Sequence, residues 1–370
     1  MCAAYVRVGS RHENETSNGI SHLVEHMLFR GSARFPDSVK MNAAVEAVGG
    51  NLNGVTMRDS SYYYTPCHPD GVPVAINILG DMLTSPRLVH LELEKQIILE
   101  EMLDEVDERG RDIDVDNLSK QVLYHRHPLS FKIAGTPKSV QGLTRKMALR
   151  HFGEAYVAGN MVVAVAGPHH HDRLFQQIDR AFRHTPRGAR ASEVAPPATS
   201  RREAELRYVT HPEPQVEFRL SFPATSDSHP DHLALATLRR VLDDGLSSRL
   251  PHNVVERRGL AYSVGAAIEV FHDTGTFEVE GACAPANVGD VLAEIFRTLA
   301  TLRRGQISTA ELKRAQQRTR IHLDFLHDSP GDLCSWFGGT ELFRTPESFE
   351  DRSMQVEQLR VRDLVAVADR

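Results

Sequence analysis

Gly19-Ile20-Ser21-His22-Leu23-Val24-Glu25-His26-Met27-Leu28 is the stretch from which the rest of the chain can be read. Ile20, Leu23, Met27 and Leu28 form an apolar face at helical spacing, and Ser17 or Asn18 stands where a cap would be. A helix over about Gly19–Phe29 is predicted. Residues four apart lie on one side of a helix, so His22 and His26 can aim their imidazoles at a single metal ion. Glu25 falls on the same side, within reach of a water at the metal but not forced to be a ligand. Peptide hydrolysis needs this set: a metal polarises the scissile carbonyl and acidifies the water, while a carboxylate takes the proton and returns it to the leaving amine. His-x-x-Glu-His is the reverse of the commoner zinc-peptidase order.

Two histidines do not complete a catalytic zinc site, which has three protein ligands and an open position. The helix predicted over His90–Glu108 is the best source of the third. Glu94 and Glu101 are two helical turns apart and share a face, whereas Glu100 is rotated about 100° from Glu101, toward solvent. With Glu101 as ligand, Glu94 is left to hydrogen-bond a ligating imidazole. On its own, a Glu-rich helix also reads as a solvated face.

Around the motif the first half runs strand (Ala3–Val8), helix, helix (Val39–Val48) and a strand pair, Asn51–Met57 and Ser60–Cys67. Helices are predicted over Val72–Leu83 and His90–Glu108, with more helix to Tyr124, then a strand at Met161–Ala166. The second half repeats this order loosely: strand Val216–Phe222, helices His232–Leu242 and Ser248–Arg257, and strands Tyr262–Val270 and Thr276–Gly281. Helices over Asn287–Arg303, Thr309–Leu326 and Pro346–Asp369 close the chain. Strands interleaved with helices in two similar halves indicate a duplicated α+β unit. The stretch from His184 to Glu203, rich in Pro, Ala, Ser and Arg, reads as a linker, giving domains over 1–183 and 206–370 joined by 184–205.

The 370 residues suffice for two cores. A net charge of -6 argues against nucleic acid or an anionic membrane as partner, since both demand a basic patch. No apolar run approaches the ~20 residues that span a bilayer. The first residues alternate like a strand rather than a signal peptide, so a cytoplasmic location is expected unless the true start lies upstream. Cys2, Cys67, Cys283 and Cys334 lie far apart without metal or redox spacing and read as reduced thiols. His169-His170-His171 reads as a surface loop, Tyr62-Tyr63-Tyr64 as strand packing and Trp336 as a helix-packing aromatic.

These segments resemble the family of insulinase, pitrilysin and the mitochondrial processing peptidase, in the form of a small two-domain subunit of bacterial type. GSRHENETSNGISHLVEHMLFRGS looks like that family's entry to the zinc helix, GGNLNGVTMRDSSYYY like its hairpin, and LELEKQIILEEM like its third-ligand helix. HPLSFKIAGTPKSVQGLT and YVAGNMVVAVAGPHH resemble the end of the first domain, and GLSSRLPHNVVERRGLAYSV resembles the signature of the second. The resemblance implies two homologous α/β-roll domains and an endopeptidase binding one Zn2+ per chain. It implies His22, His26 and Glu101 as ligands, Glu25 as general base and Glu94 hydrogen-bonded behind a histidine. Substrate would add as a strand beside Asn51–Met57, with Asn53 a contact, so the main chain holds it and pockets select it.

The chain departs from the family pattern in three ways. It starts within the family's second strand and ends at the last helix, so partners would cover exposed sheet edges unless the chain is trimmed. The family also places an Arg seven residues before a Tyr in the second domain; Tyr262 matches the Tyr, but Val255 occupies the Arg position. Arg257 and Arg258 fall on other faces of that helix. Losing a cation aimed at a developing oxyanion costs a few kcal/mol, which suits a zinc-bearing subunit whose sister supplies the Arg and Tyr, against a homodimer with weakened catalysis. A scaffold subunit without turnover and a peptide-binding maturation factor are the alternatives of a different class.

Overall fold

The computed structural model describes residues 1–190, 194–198 and 203–370. In chain order the first helices are α1 (Ile20–Leu28), α2 (Ser38–Glu46), α3 (Val72–Thr84), α4 (Leu91–Glu101) and α5 (Val115–Tyr124). Next come α6 (Pro137–Gly142), α7 (Arg145–Ala155), α8 (His171–Phe182), α9 (His232–Leu242), α10 (Val288–Arg303) and α11 (Thr309–Leu326). The last are α12 (Pro330–Leu333), α13 (Phe349–Gln358) and α14 (Val361–Asp369).

Strand β1 (Cys2–Val6) is buried along its whole length because both faces of its sheet are covered. It lies inside a four-stranded antiparallel sheet ordered β2 (Asn53–Thr56), β3 (Ser61–Thr65), β1, β4 (Met161–Val165). Cys2 faces Thr65 on one side and Val165 on the other, and Val6 faces Ser61 and Met161. Alternation sends Cys2, Ala4 and Val6 into a core with Leu23, Met27, Ile76 and Leu79 from α1 and α3. Ala3 and Tyr5 point the opposite way, toward Cys334 and Leu342. There Tyr5, Tyr62 and Tyr64 stack in a row with ring centroids 5.6 and 5.8 Å apart. Gly338 lies on that row, where a Cβ would come within 2.5 Å of Ala164. Tyr63 turns into the core instead, its hydroxyl 2.5 Å from that of Tyr156.

The other unit carries an antiparallel sheet ordered β5 (Val216–Ala224), β7 (Gly275–Cys283), β6 (Ser263–Val270). Its core joins Leu238 and Leu242 of α9 and Val291 and Ile295 of α10 to Val264 and Val279 of the sheet. The side chain of Lys120 on α5 is fully buried against that sheet, with Nζ 2.5 Å from Glu278, 2.6 Å from Glu269 and 3.5 Å from Asp116. Arg219 pairs with Asp116, Glu278 and Glu280. The three carboxylates around Lys120 could group about a cation, and the ammonium takes that place, which is how buried charges persist.

The chain does not divide at a single point. One unit comprises Met1–Arg111, Arg126–Ala195 and Leu326–Pro346; the other comprises Asp112–His125, Pro196–Phe325 and Glu347–Arg370. The helix predicted over His90–Glu108 ends earlier, at Glu101, and the further helix predicted to Tyr124 begins only at Val115. Between α4 and α5 the Asp107 carboxylate accepts the backbone N–H of Arg109 and Arg111 and the Arg111 guanidinium, and Gly110 takes a left-handed φ of 72°. The last predicted helix likewise splits, with Asp363 accepting the Arg360 N–H at 2.8 Å to start α14. Residues 191–193 and 199–202 of the expected linker lie outside the described residues. Around them, Ala158 donates to Pro186 O at 3.0 Å, and His127 donates to Ala195 O at 2.8 Å.

Candidate metal centre

α1 begins at Gly19, whose φ of 93° and close approach to Ala134 O (2.6 Å from a built Cβ) both require glycine. The N-cap thus has no side chain, and neither Ser17 nor Asn18 caps the helix as expected. Glu13 takes over: its carboxylate accepts the N–H of Gly19 at 2.7 Å and of Ser21 at 2.8 Å.

One turn later His22 and His26 face each other, Nε2 to Nε2, at 3.2 Å. Glu101 Oε2, from the end of α4, lies 3.8 Å from His22 Nε2 and 3.7 Å from His26 Nε2. Ligands about 2.0–2.1 Å from a tetrahedral zinc stand about 3.3 Å apart, so this donor set fits zinc with only a small inward movement of Glu101. Glu94 Oε2 sits 3.3 Å from His26 Nδ1, and its other oxygen accepts from Arg30 Nε. A proton on Nδ1 shared with Glu94 leaves the Nε2 lone pair for a metal. Burial, and then the neighbouring His26, push the His22 imidazole down to about 3, so it stays neutral. Glu100 is exposed.

Glu25 is only 8% exposed and accepts the Thr56 hydroxyl on Oε2 at 2.5 Å. Burial pushes its carboxyl up, and the Thr56 hydroxyl opposes that shift. Glu25, His26, Phe29, Arg30 and Asn53 line a cleft of about 500 Å³. β2 is the outer strand of the sheet and pairs with β3. Because Met57 N–H donates to Ser60 O at 2.8 Å, ladder alternation turns the Gly54 N–H and C=O to the open edge. A Cβ on Gly54 would lie 2.9 Å from the Phe29 ring and 3.0 Å from Glu25 Oε1. The Asn53 side chain donates to Asn51 O at 3.0 Å.

In the second unit Tyr262 stands at the head of β6 and is 83% exposed. Val255 packs on that unit's core, Arg257 is exposed, and Arg258 pairs with Glu294 at 2.8 Å. His169, His170 and His171 are exposed at the entry to α8. Glu13, Arg30, Gly54 and Thr56 escaped the sequence reading. Of these only Arg30 left a local signal, its place four residues after His26 on the helical face.

A helix presenting two facing imidazoles and a carboxylate, with a third ligand from a neighbouring helix in an α+β fold, is metallopeptidase architecture. The chain belongs to the insulinase family, peptidase family M16, a family of zinc-type peptidases. Residues 1–136 match the model described as Insulinase (Peptidase family M16), and residues 142–319 match the one described as Peptidase M16 inactive domain. An uncharacterized zinc protease of Mycobacterium tuberculosis is 32% identical over 98% of this chain and 84% of its own length. The mitochondrial-processing peptidase subunit beta of Dictyostelium discoideum is 25% identical over 90% of this chain and 73% of its own. The crystal structure of a Helicobacter pylori protease superposes with a TM-score of 0.86 at 21% identity, over 100% of this chain and 89% of that one.

Proposed function

We propose that this chain is the zinc-bearing subunit of an endopeptidase that cleaves extended peptides, with Glu25 as general base. The observation that carries the reading is the meeting of His22, His26 and Glu101 beside a buried carboxylate and an open strand edge. Bound zinc would supply Lewis-acid polarisation of the scissile carbonyl.

The chain's own groups do the rest. The open edge of β2 holds a peptide by its main chain, with Gly54 offering an N–H and a C=O. Thr56 engages Glu25 Oε2 and leaves Oε1 to take a proton from the attacking water and deliver it to the leaving amine. Glu94 and Arg30 hold the His26 ring in place.

Val255 supports a division of labour, because an apolar residue packed on a core offers no charge to an oxyanion. A sister chain would supply the missing Arg, and similarity to proteins named as a subunit beta fits that reading. The same valine also favours the rival, a scaffold subunit of this fold without turnover.

The test is hydrolysis of a quenched peptide by zinc-loaded protein, alone and with its co-purifying partner, before and after chelation. Chelator-sensitive cleavage is expected. No cleavage by the zinc-loaded chain, alone or partnered, leaves the scaffold reading in its place.

A further inference from the structure

We infer that Glu13 is a positioning residue for the metal site, fixing from outside α1 where His22, Glu25 and His26 stand. The inference rests on the zinc reading above. Gly19 cannot cap α1, so the first turn depends on a carboxylate borrowed from the preceding loop. Glu13 is 7% exposed, and the donors it accepts from are uncharged: Gly19 N and Ser21 N as above, and Asn18 Nδ2 at 2.9 Å. A carboxylate at a helix N-terminus is also favoured by the helix dipole.

The contact reaches further than a cap. Asn18 Nδ2 also donates to Lys132 O at 2.8 Å, and Gly135 lies so close that a Cβ there would come within 2.6 Å of Asn18 O. From Lys132 the chain runs into α6, and Gln141 O near its end accepts Lys95 Nζ at 3.2 Å. Lys95 follows Glu94 on α4. Glu13, Asn18 and residues 132–141 therefore brace the start of α1 to the middle of α4, the two helices that carry the metal ligands. Ser21 directly precedes His22, and α1 has only nine residues, so a shift at its first turn moves both imidazoles together. Metal–ligand distances tolerate only about 0.2 Å.

Glu13→Gln in the full chain tests this, because it keeps the volume but aims an amide N–H2 at one of the donors. Zinc affinity, measured by competition with a chromophoric chelator, should fall about 10- to 100-fold, as for other groups behind metal ligands. The visible spectrum of the cobalt-substituted protein should shift with it. Leu174→Ala, buried on α8 in the same unit, is the control for lost stability and should bind zinc and cobalt as the parent does. Asn18→Ala should fall between parent and Glu13→Gln, and it carries the test if Glu13→Gln does not fold. Parent-like zinc affinity and cobalt spectrum in the folded variants overturn the inference. A parent that binds no zinc at all overturns the zinc reading first and this inference with it.

Discussion

Thr56 Oγ1 donates to Glu25 Oε2 at 2.5 Å, joining the outermost strand of the sheet to the carboxylate of α1. Burial raises the Glu25 carboxyl, and this hydroxyl pulls it back down. Thr56→Val should remove the opposing bond, so the carboxyl rises further and a smaller fraction is ionised at a given acidic pH. The acid limb of kcat/KM should move to higher pH while zinc content stays constant. A limb in the parental position would mean that the hydroxyl positions Glu25 without tuning it.

The ligand set makes its own prediction. Purified protein should hold about one zinc, and His22→Ala, His26→Ala and Glu101→Gln should each strip it. Glu25→Gln should keep zinc and fold yet lose at least about 10²- to 10⁴-fold in turnover, because an amide cannot accept the water's proton. Full zinc retention in Glu101→Gln would move the third ligand elsewhere, with Glu100 the first place to look.

Behind the ligands, Glu94 is 1% exposed and bridges His26 to Arg30. Glu94→Gln should weaken zinc binding about 10- to 100-fold and leave Arg30 short of its counter-charge. Isothermal titration of the metal-free protein with zinc would read this out. Unchanged affinity would assign the orientation of the His26 ring to packing instead.

The partner prediction turns on Val255, which packs against the second unit's core. The isolated chain should hold zinc but hydrolyse peptides poorly, and a sister subunit with an Arg seven residues before a Tyr should restore activity. Val255→Arg should cost about 1–3 kcal/mol in denaturant unfolding and bring no gain in rate. A fully active homodimer, indifferent to any partner, would sink the idea.

Glu311 gives a pH signature remote from the metal. Burial alone would raise its carboxyl, but hydrogen bonds from Arg249 and Ser308 outweigh it and bring it down to about 2. A depressed acid stabilises the fold above its unfolded value of about 4.3 and loses that contribution as pH falls through the folded one. Glu311→Gln should therefore unfold more easily than the parent at neutral pH, with the gap closing as pH drops from about 5 toward 2. Scanning calorimetry at several pH values checks it; a pH-independent gap would point to shape rather than charge.

What could be read from the residues was what chain-local periodicity carries. His22 and His26 share a helical face by spacing, as do Glu94 and Glu101, and the fold brings three of these side chains to one point. The alternating strands around β3 and the helices His232–Leu242 and Thr309–Leu326 are likewise written in period. The capping of α1 was not, because a cap is expected beside the helix and the Glu13 contact forms only when the loop folds back. The interruption after Glu101 was masked by a charged run whose helical period looks continuous until Asp107 gathers its three donors. No local pattern marks α5 as belonging to the second unit, since Lys120 looks like a surface lysine until Glu269 and Glu278 surround it.

The exchange of segments between the two units also limits how the protein can be made and taken apart. A product stopped at residue 183 would lack residues 326–346, and the tyrosine row of Tyr5, Tyr62 and Tyr64 would meet water as a sticky aromatic strip. It would also carry α5 with its lysine stripped of Glu269 and Glu278. Separately expressed halves should therefore precipitate singly and recover only when refolded together. During synthesis the first sheet must wait for more than half of the chain to emerge before its second face is closed, the kind of long-range closure that slows folding and invites chaperone capture.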